Sequence, residues 1–174
     1  VTALGTATTV VDASQLTGEL TVTTGNIAQT VTGGSGNDTI DVSAAASKAV
    51  TADLGAGDDS IDVGSDLTVA DTIDGGDGAD TITTSATVTV ANGANVTNVE
   101  TLKIVSAALG ADFSQDMDAF SSAAGVTLGD TNNKDITLTD AAAGTGLTIT
   151  AGNTGATGHS IAHKVDTSSD SLTL

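Results

Sequence analysis

The chain has 174 residues and carries 22 acidic side chains against four lysines (Lys48, Lys103, Lys134 and Lys164) and no arginine, for a formal charge of −18 at pH 7. Such a charge repels nucleic-acid phosphates and anionic membrane surfaces, and it suits a protein that gathers cations. Cysteine, proline, tryptophan and tyrosine are absent, which excludes a disulfide framework and a thiolate metal site, yet 39% of the residues are hydrophobic.

The N-terminal "VTALGTATTVV" lacks the basic start of a signal peptide, and it opens on Val rather than Met, as a processed form or a fragment would. No run of about eighteen apolar residues is present to insert into a bilayer. Residues 17–24, "TGELTVTT", alternate in the manner of a strand. A period then sets in. "GGSGNDTID" at 33–41, "LGAGDDSID" at 54–62 and "GGDGADTIT" at 75–83 recur every 21 residues. Gly36, Gly57 and Gly78 align, as do Asp38, Asp59 and Asp80, and Ile40, Ile61 and Ile82. Val31, Ala52 and Ile73 form a second apolar column.

This repeat predicts an all-β fold, a parallel β-solenoid (β-roll or β-helix) with about 21 residues per coil. One coil cannot bury its apolar side chains alone, whereas stacked coils place the three isoleucines in one interior ladder. In "DTIDV", "DSIDV" and "DTITT" the isoleucine points inward and Thr or Asp outward. The glycines supply tight turns at positive φ.

Beyond the repeat, "TVTV" at 87–90, "VETLKIV" at 99–105, "VTLGD" at 126–130, "ITLTD" at 136–140 and "LTITA" at 147–151 read as further strands. The phase breaks between about 84 and 104. The 21-residue step returns from Val126 to Leu147 and from Leu128 to Ile149. Leu109, Phe113, Met117, Phe120 and Ala124 fit either one helical face or a solenoid coil whose larger side chains plug an end or a gap. The expected organisation is one continuous domain: a solenoid start at 1–32, cation-binding coils at 33–95 and a cation-poor continuation at 96–174.

The glycine–aspartate turns carry the chemistry. A hard dication such as calcium takes six to eight oxygens, and glycine-rich turns let backbone carbonyls converge. In stacked coils each turn faces the next, so one ion fits between Asp38 and Asp59 and another between Asp59 and Asp80. Gly33, Gly34, Ser35 and Gly36, Gly55 and Gly57, and Gly75, Gly76 and Gly78 supply the turn carbonyls, with Asn37, Asp58 and Asp77 as extra ligands. Half of the 22 acids fall between residues 33 and 83. Aligned carboxylates at a strand spacing of about 4.8 Å repel one another unless cations intervene. Magnesium, with its tighter octahedron and retained waters, suits such turns less well.

The three nonapeptides resemble the calcium-binding repeat of RTX (hemolysin-type) proteins, Gly-Gly-x-Gly-x-Asp-x-apolar-x. The matches at 33–41 and 75–83 are full, and the middle one has Leu54 in place of the first glycine. The family runs its nonapeptides in tandem; one motif per 21 residues implies calcium on one edge only, with ordinary turns such as "SAAASK" or "VGSDLT" opposite. "VDASQLTGELTVTT" (11–24), "NVTNVETLKI" (95–104) and "DSLTL" (170–174) resemble bacterial surface-layer and related RTX-type surface proteins. That resemblance implies type I secretion, an extracellular, cell-surface location, calcium as the cofactor, and assembly with copies of itself into a sheet or filament. A cell-surface polysaccharide is a second candidate partner. The alternative readings are an adhesin repeat module and the calcium-roll secretion domain of a larger exported protein.

Catalytic readings find little support. "HSIAH" at 159–163 has the histidine spacing of a zinc protease, but Ser160 stands where the essential glutamate belongs. "GGSGND" lacks the lysine of a phosphate loop. The aspartates have almost no aromatic residues beside them to line a sugar cleft. The expectation is a protein that is not an enzyme.

Overall fold

A computed structural model describes residues 2–3, 9–45, 48–105, 113–129, 136–141, 145–149 and 160–163. The fold is an all-β parallel solenoid of about five turns with roughly 21 residues each. One face is an eight-stranded sheet containing Thr21–Thr23, Thr39–Asp41, Ser60–Gly64, Thr81–Thr84, Thr101–Val105, Gly125–Gly129 and Gly146–Ile149, each paired in parallel with the next. A second, five-stranded sheet stacks Val10–Asp12, Gln29–Thr32, Val50–Asp53, Thr72–Asp74 and Val96–Thr97. A three-stranded sheet of Phe113–Asp116, Ile136–Ala141 and Ser160–His163 follows.

The expected columns form. Ile40, Ile61 and Ile82 are paired in register and at most 1% exposed. The column extends to Val22 before them and to Leu102 and Val126 after them. Val31, Ala52 and Ile73 line up on the five-stranded sheet, and Val96 continues them. Both sheets contribute to one core. Each buried isoleucine contributes roughly 2 kcal/mol through removal of apolar surface from water.

The 21-residue step is strict only in the centre. Val22 pairs with Ile40 eighteen residues on, and Leu102 pairs with Val126 twenty-four residues on. The expected return from Val126 to Leu147 and from Leu128 to Ile149 is present in the register. Changes of coil length fall between strands, where a parallel ladder tolerates insertion.

Two segments decide differently from their local pattern. "TVTV" is not a strand. Thr89 caps a one-turn helix, Val90–Gly93, its hydroxyl accepting the Asn92 amide at 3.2 Å. Val88 instead borrows a strand neighbour from a side chain. Buried Gln115 accepts the Val88 amide at 2.9 Å and donates to its carbonyl at 2.8 Å. The segment expected as either a helical face or a gap-filling coil is the latter. It forms the strand Phe113–Asp116 and a 3-10 turn, Met117–Phe120, that buries Met117, Ala119 and Phe120. Leu109 lies outside the described residues. "HSIAH" is also non-helical: Ser160–His163 is a strand, and His159 lies outside the described residues.

Candidate calcium-binding edge

The three glycine–aspartate turns connect the five-stranded sheet to the eight-stranded one, so they stack along a single edge. The turns at Ser43–Ala45 and around Leu67 lie between strands on the opposite edge. Stacking is close enough to require glycine. At Gly76 φ is +89°, and a Cβ there would overlap the carbonyl oxygen of Gly55. Gly55 (φ +101°) stands in the same relation to the Gly34 carbonyl oxygen. The φ values of Gly57 and Gly78 are also positive, whereas Gly33, Gly34 and Gly36 in the first turn do not use that region. Leu54 occupies the first glycine position of the second turn by sending its side chain into the core, where it is 0% exposed.

The repeated chemistry of the edge lies in a ladder of acids. Asp38, Asp59 and Asp80 are at most 2% exposed. Each accepts the backbone amide of the rung before it: Leu20 donates to Asp38 Oδ1 at 2.7 Å, Asp38 to Asp59 Oδ1 at 2.6 Å, and Asp59 to Asp80 Oδ1 at 2.8 Å. Asp80 in turn donates to Glu100 Oε2 at 2.8 Å. An outer, exposed ladder runs in the opposite sense. Asp58 donates its amide to Asn37 Oδ1 and Ala79 donates to Asp58 Oδ1, both at 3.0 Å. Asn37 and Asp58 thus bind amides of the following coil on the outside of the edge. Exposed Asp77 is bridged by its backbone to Ala56.

The second oxygens of the inner ladder differ. Asp38 Oδ2 accepts the Gly34 amide at 2.9 Å. Asp59 Oδ2 and Asp80 Oδ2 are buried and have no hydrogen-bond partner. Burial pushes the Asp59 carboxyl upward, opposed by its bond from the Asp38 amide and reinforced by the charges of Asp38 and Asp58. Asp80 is pushed up to about 6, by burial first and then by the charges of Asp59, Glu100 and Asp58, against the opposing bond from the Asp59 amide. A buried carboxylate oxygen without a donor is costly, and a cation is the partner that such an atom lacks. Among the described residues no three His, Cys, Asp or Glu side chains converge as a ligand cluster. An ion at this edge therefore draws on backbone carbonyls as well as carboxylates, which is the donor set calcium accepts. The residues present fit calcium.

The family model described as the RTX calcium-binding nonapeptide repeat matches residues 23–46 and 70–86. The chain carries RTX calcium-binding repeats. The matched segments hold the first and third turns. The second, with Leu54 in place of glycine, falls between them, although it builds the same acid rung. No curated protein and no solved structure matches the chain.

Glu100, which closes the acid ladder, falls outside the 21-residue period. Its signal was present: "ETL" at 100–102 repeats the acid–hydroxyl–aliphatic order of "DTI" at 80–82. The step of 20 residues rather than 21 hid it.

Proposed function

We propose that this protein is a calcium-dependent, self-assembling structural protein of the cell exterior, a subunit or segment of a surface layer or filament, and not an enzyme. The observation that carries the calcium part is the pair of buried, unpartnered oxygens, Asp59 Oδ2 and Asp80 Oδ2, stacked along one glycine edge. With a dissociation constant of about 0.1 mM, 1 mM calcium stabilises the fold by about 1.4 kcal/mol per site. At cytosolic calcium that contribution vanishes, so the fold is less stable before the chain leaves the cell. RTX repeats are typical of exported proteins, and among the described residues no helix is long and apolar enough to cross a membrane.

Charge supports assembly. Two dications within the edge offset only four units of the net charge of −18, leaving a surface that repels its own copies unless further dications bridge them. The ends of a finite parallel stack also offer strand edges to a neighbouring copy. Electron microscopy before and after chelation tests the proposal. Ordered sheets or filaments that dissolve in chelator and re-form in calcium are expected; assemblies indifferent to chelator count against it. Equal strand content by far-UV circular dichroism in calcium and in chelator would sink the coupling of calcium to folding.

A further inference from the structure

The fourth coil meets the glycine edge with a different turn. Asp80 follows Gly75 by five positions, whereas Glu100 follows Asn98 by only two. The register nonetheless matches these residues. Gly75 follows Asp74, which pairs with Thr97, and Thr81 pairs with Thr101. Asn98 and Glu100 therefore stand on the rungs of Gly75 and Asp80. The shorter turn is achieved by left-handed Asn98, with φ +51°, and by burial of Val99. Asn98 is pinned by a bond from its Nδ2 to Asp74 Oδ1 at 2.8 Å.

This turn delivers oxygen atoms where another glycine turn would. The Asn98 carbonyl oxygen occupies the space that a side chain on Gly75 would fill, and Asp80 Oδ2 borders the same space, 2.8 Å from the position of that Cβ. The same pairing exists at the first turn, where the Leu54 carbonyl oxygen and Asp38 Oδ2 flank Gly33. Asp80 is 0% exposed and its Oδ2 has no donor. Glu100 brings a second carboxylate to the Asp80 amide. A neutral glutamine would cap that amide equally well without adding charge beside a buried carboxylate.

We infer that Asp80 Oδ2, the Asn98 carbonyl and the Glu100 carboxylate form a third calcium site, between the third and fourth coils and beyond the last nonapeptide. The inference rests on the calcium reading of the edge proposed above. Two carboxylates and a carbonyl suit a hard dication, and water completes its shell.

Calorimetric calcium titration of wild type and Glu100→Gln, both shown folded by circular dichroism, tests the site. The variant is expected to lose one calcium from the count, or to bind it at least tenfold more weakly, with the other sites within twofold of wild type. Equal counts and affinities in the two proteins overturn the third site and leave the edge reading standing. A wild type that binds no calcium overturns both. Should the variant not fold, wild type labelled with 13C gives the answer. A Glu100 carboxyl resonance that shifts with calcium supports the site, and one that stays in place overturns it.

Discussion

Replacing Asp80 with Asn separates the two tasks of its carboxyl group. Oδ1 accepts the Asp59 amide at 2.8 Å, and Asn keeps that acceptor; Oδ2 is the buried oxygen without a donor, and Asn replaces it with an amide nitrogen. Without a cation, burial and the neighbouring acids push the Asp80 carboxyl up to about 6. Keeping it ionised at pH 7 costs the fold on the order of 2 kcal/mol, after discounting for solvent screening. D80N removes that cost, so in chelator the variant is expected to melt no lower than wild type. In 1 mM calcium that advantage shrinks, because the variant forfeits at least one site worth about 1.4 kcal/mol. For a chain of this size each kcal/mol moves Tm by about 2–4 °C, so calcium should raise the variant's Tm by about 3–6 °C less than that of wild type. Differential scanning calorimetry at pH 7 in both media reads this directly. An equal loss of stability with and without calcium would refute the reasoning, since Oδ2 would then serve the fold alone.

The pH dependence follows from the same groups. Asp59 and Asp80 are both raised from an ordinary value of 3.8, Asp80 to about 6, so without calcium the folded state holds these protons more tightly than the unfolded chain. Stability from the Asp80 proton is present below about pH 3.8 and declines as pH rises through about 6, and Asp59 acts in the same direction; in chelator, Tm should be higher at pH 5 than at pH 7, and D80N should flatten the trend. Gly76→Ala is expected to cost about 2 kcal/mol or more in urea unfolding, because φ is +89° and the Cβ would overlap the Gly55 carbonyl oxygen. Gly18→Ala, with nothing within 4 Å of its Cβ position, should stay within about 0.5 kcal/mol. Gln115→Leu strands the Val88 amide and carbonyl and should cost about 2–3 kcal/mol, with faster hydrogen exchange at the Val88 amide as its local signature.

Much of this protein is written in its covalent spacing. Ile40, Ile61 and Ile82 form a column because a 21-residue step returns each to the same inward position, and the step brings Asp38, Asp59 and Asp80 to the same edge. A period read along the chain captures such repetition because every unit solves the same burial problem in the same way. It carries nothing about positions that fall off the period. "TVTV" alternates like a strand, yet distant Gln115 satisfies the Val88 backbone groups and frees the following residues to turn. Glu100 lies off the period, yet stacking sets it on the fourth rung of the acid ladder. The same holds for the two oxygens of each aspartate. The sequence alone determined that carboxylates line one edge. Only the stacked coils decided that one oxygen receives a neighbour's amide while the other, on Asp59 and Asp80, is buried without a donor, because hydrogen bonds between coils depend on how the coils stack.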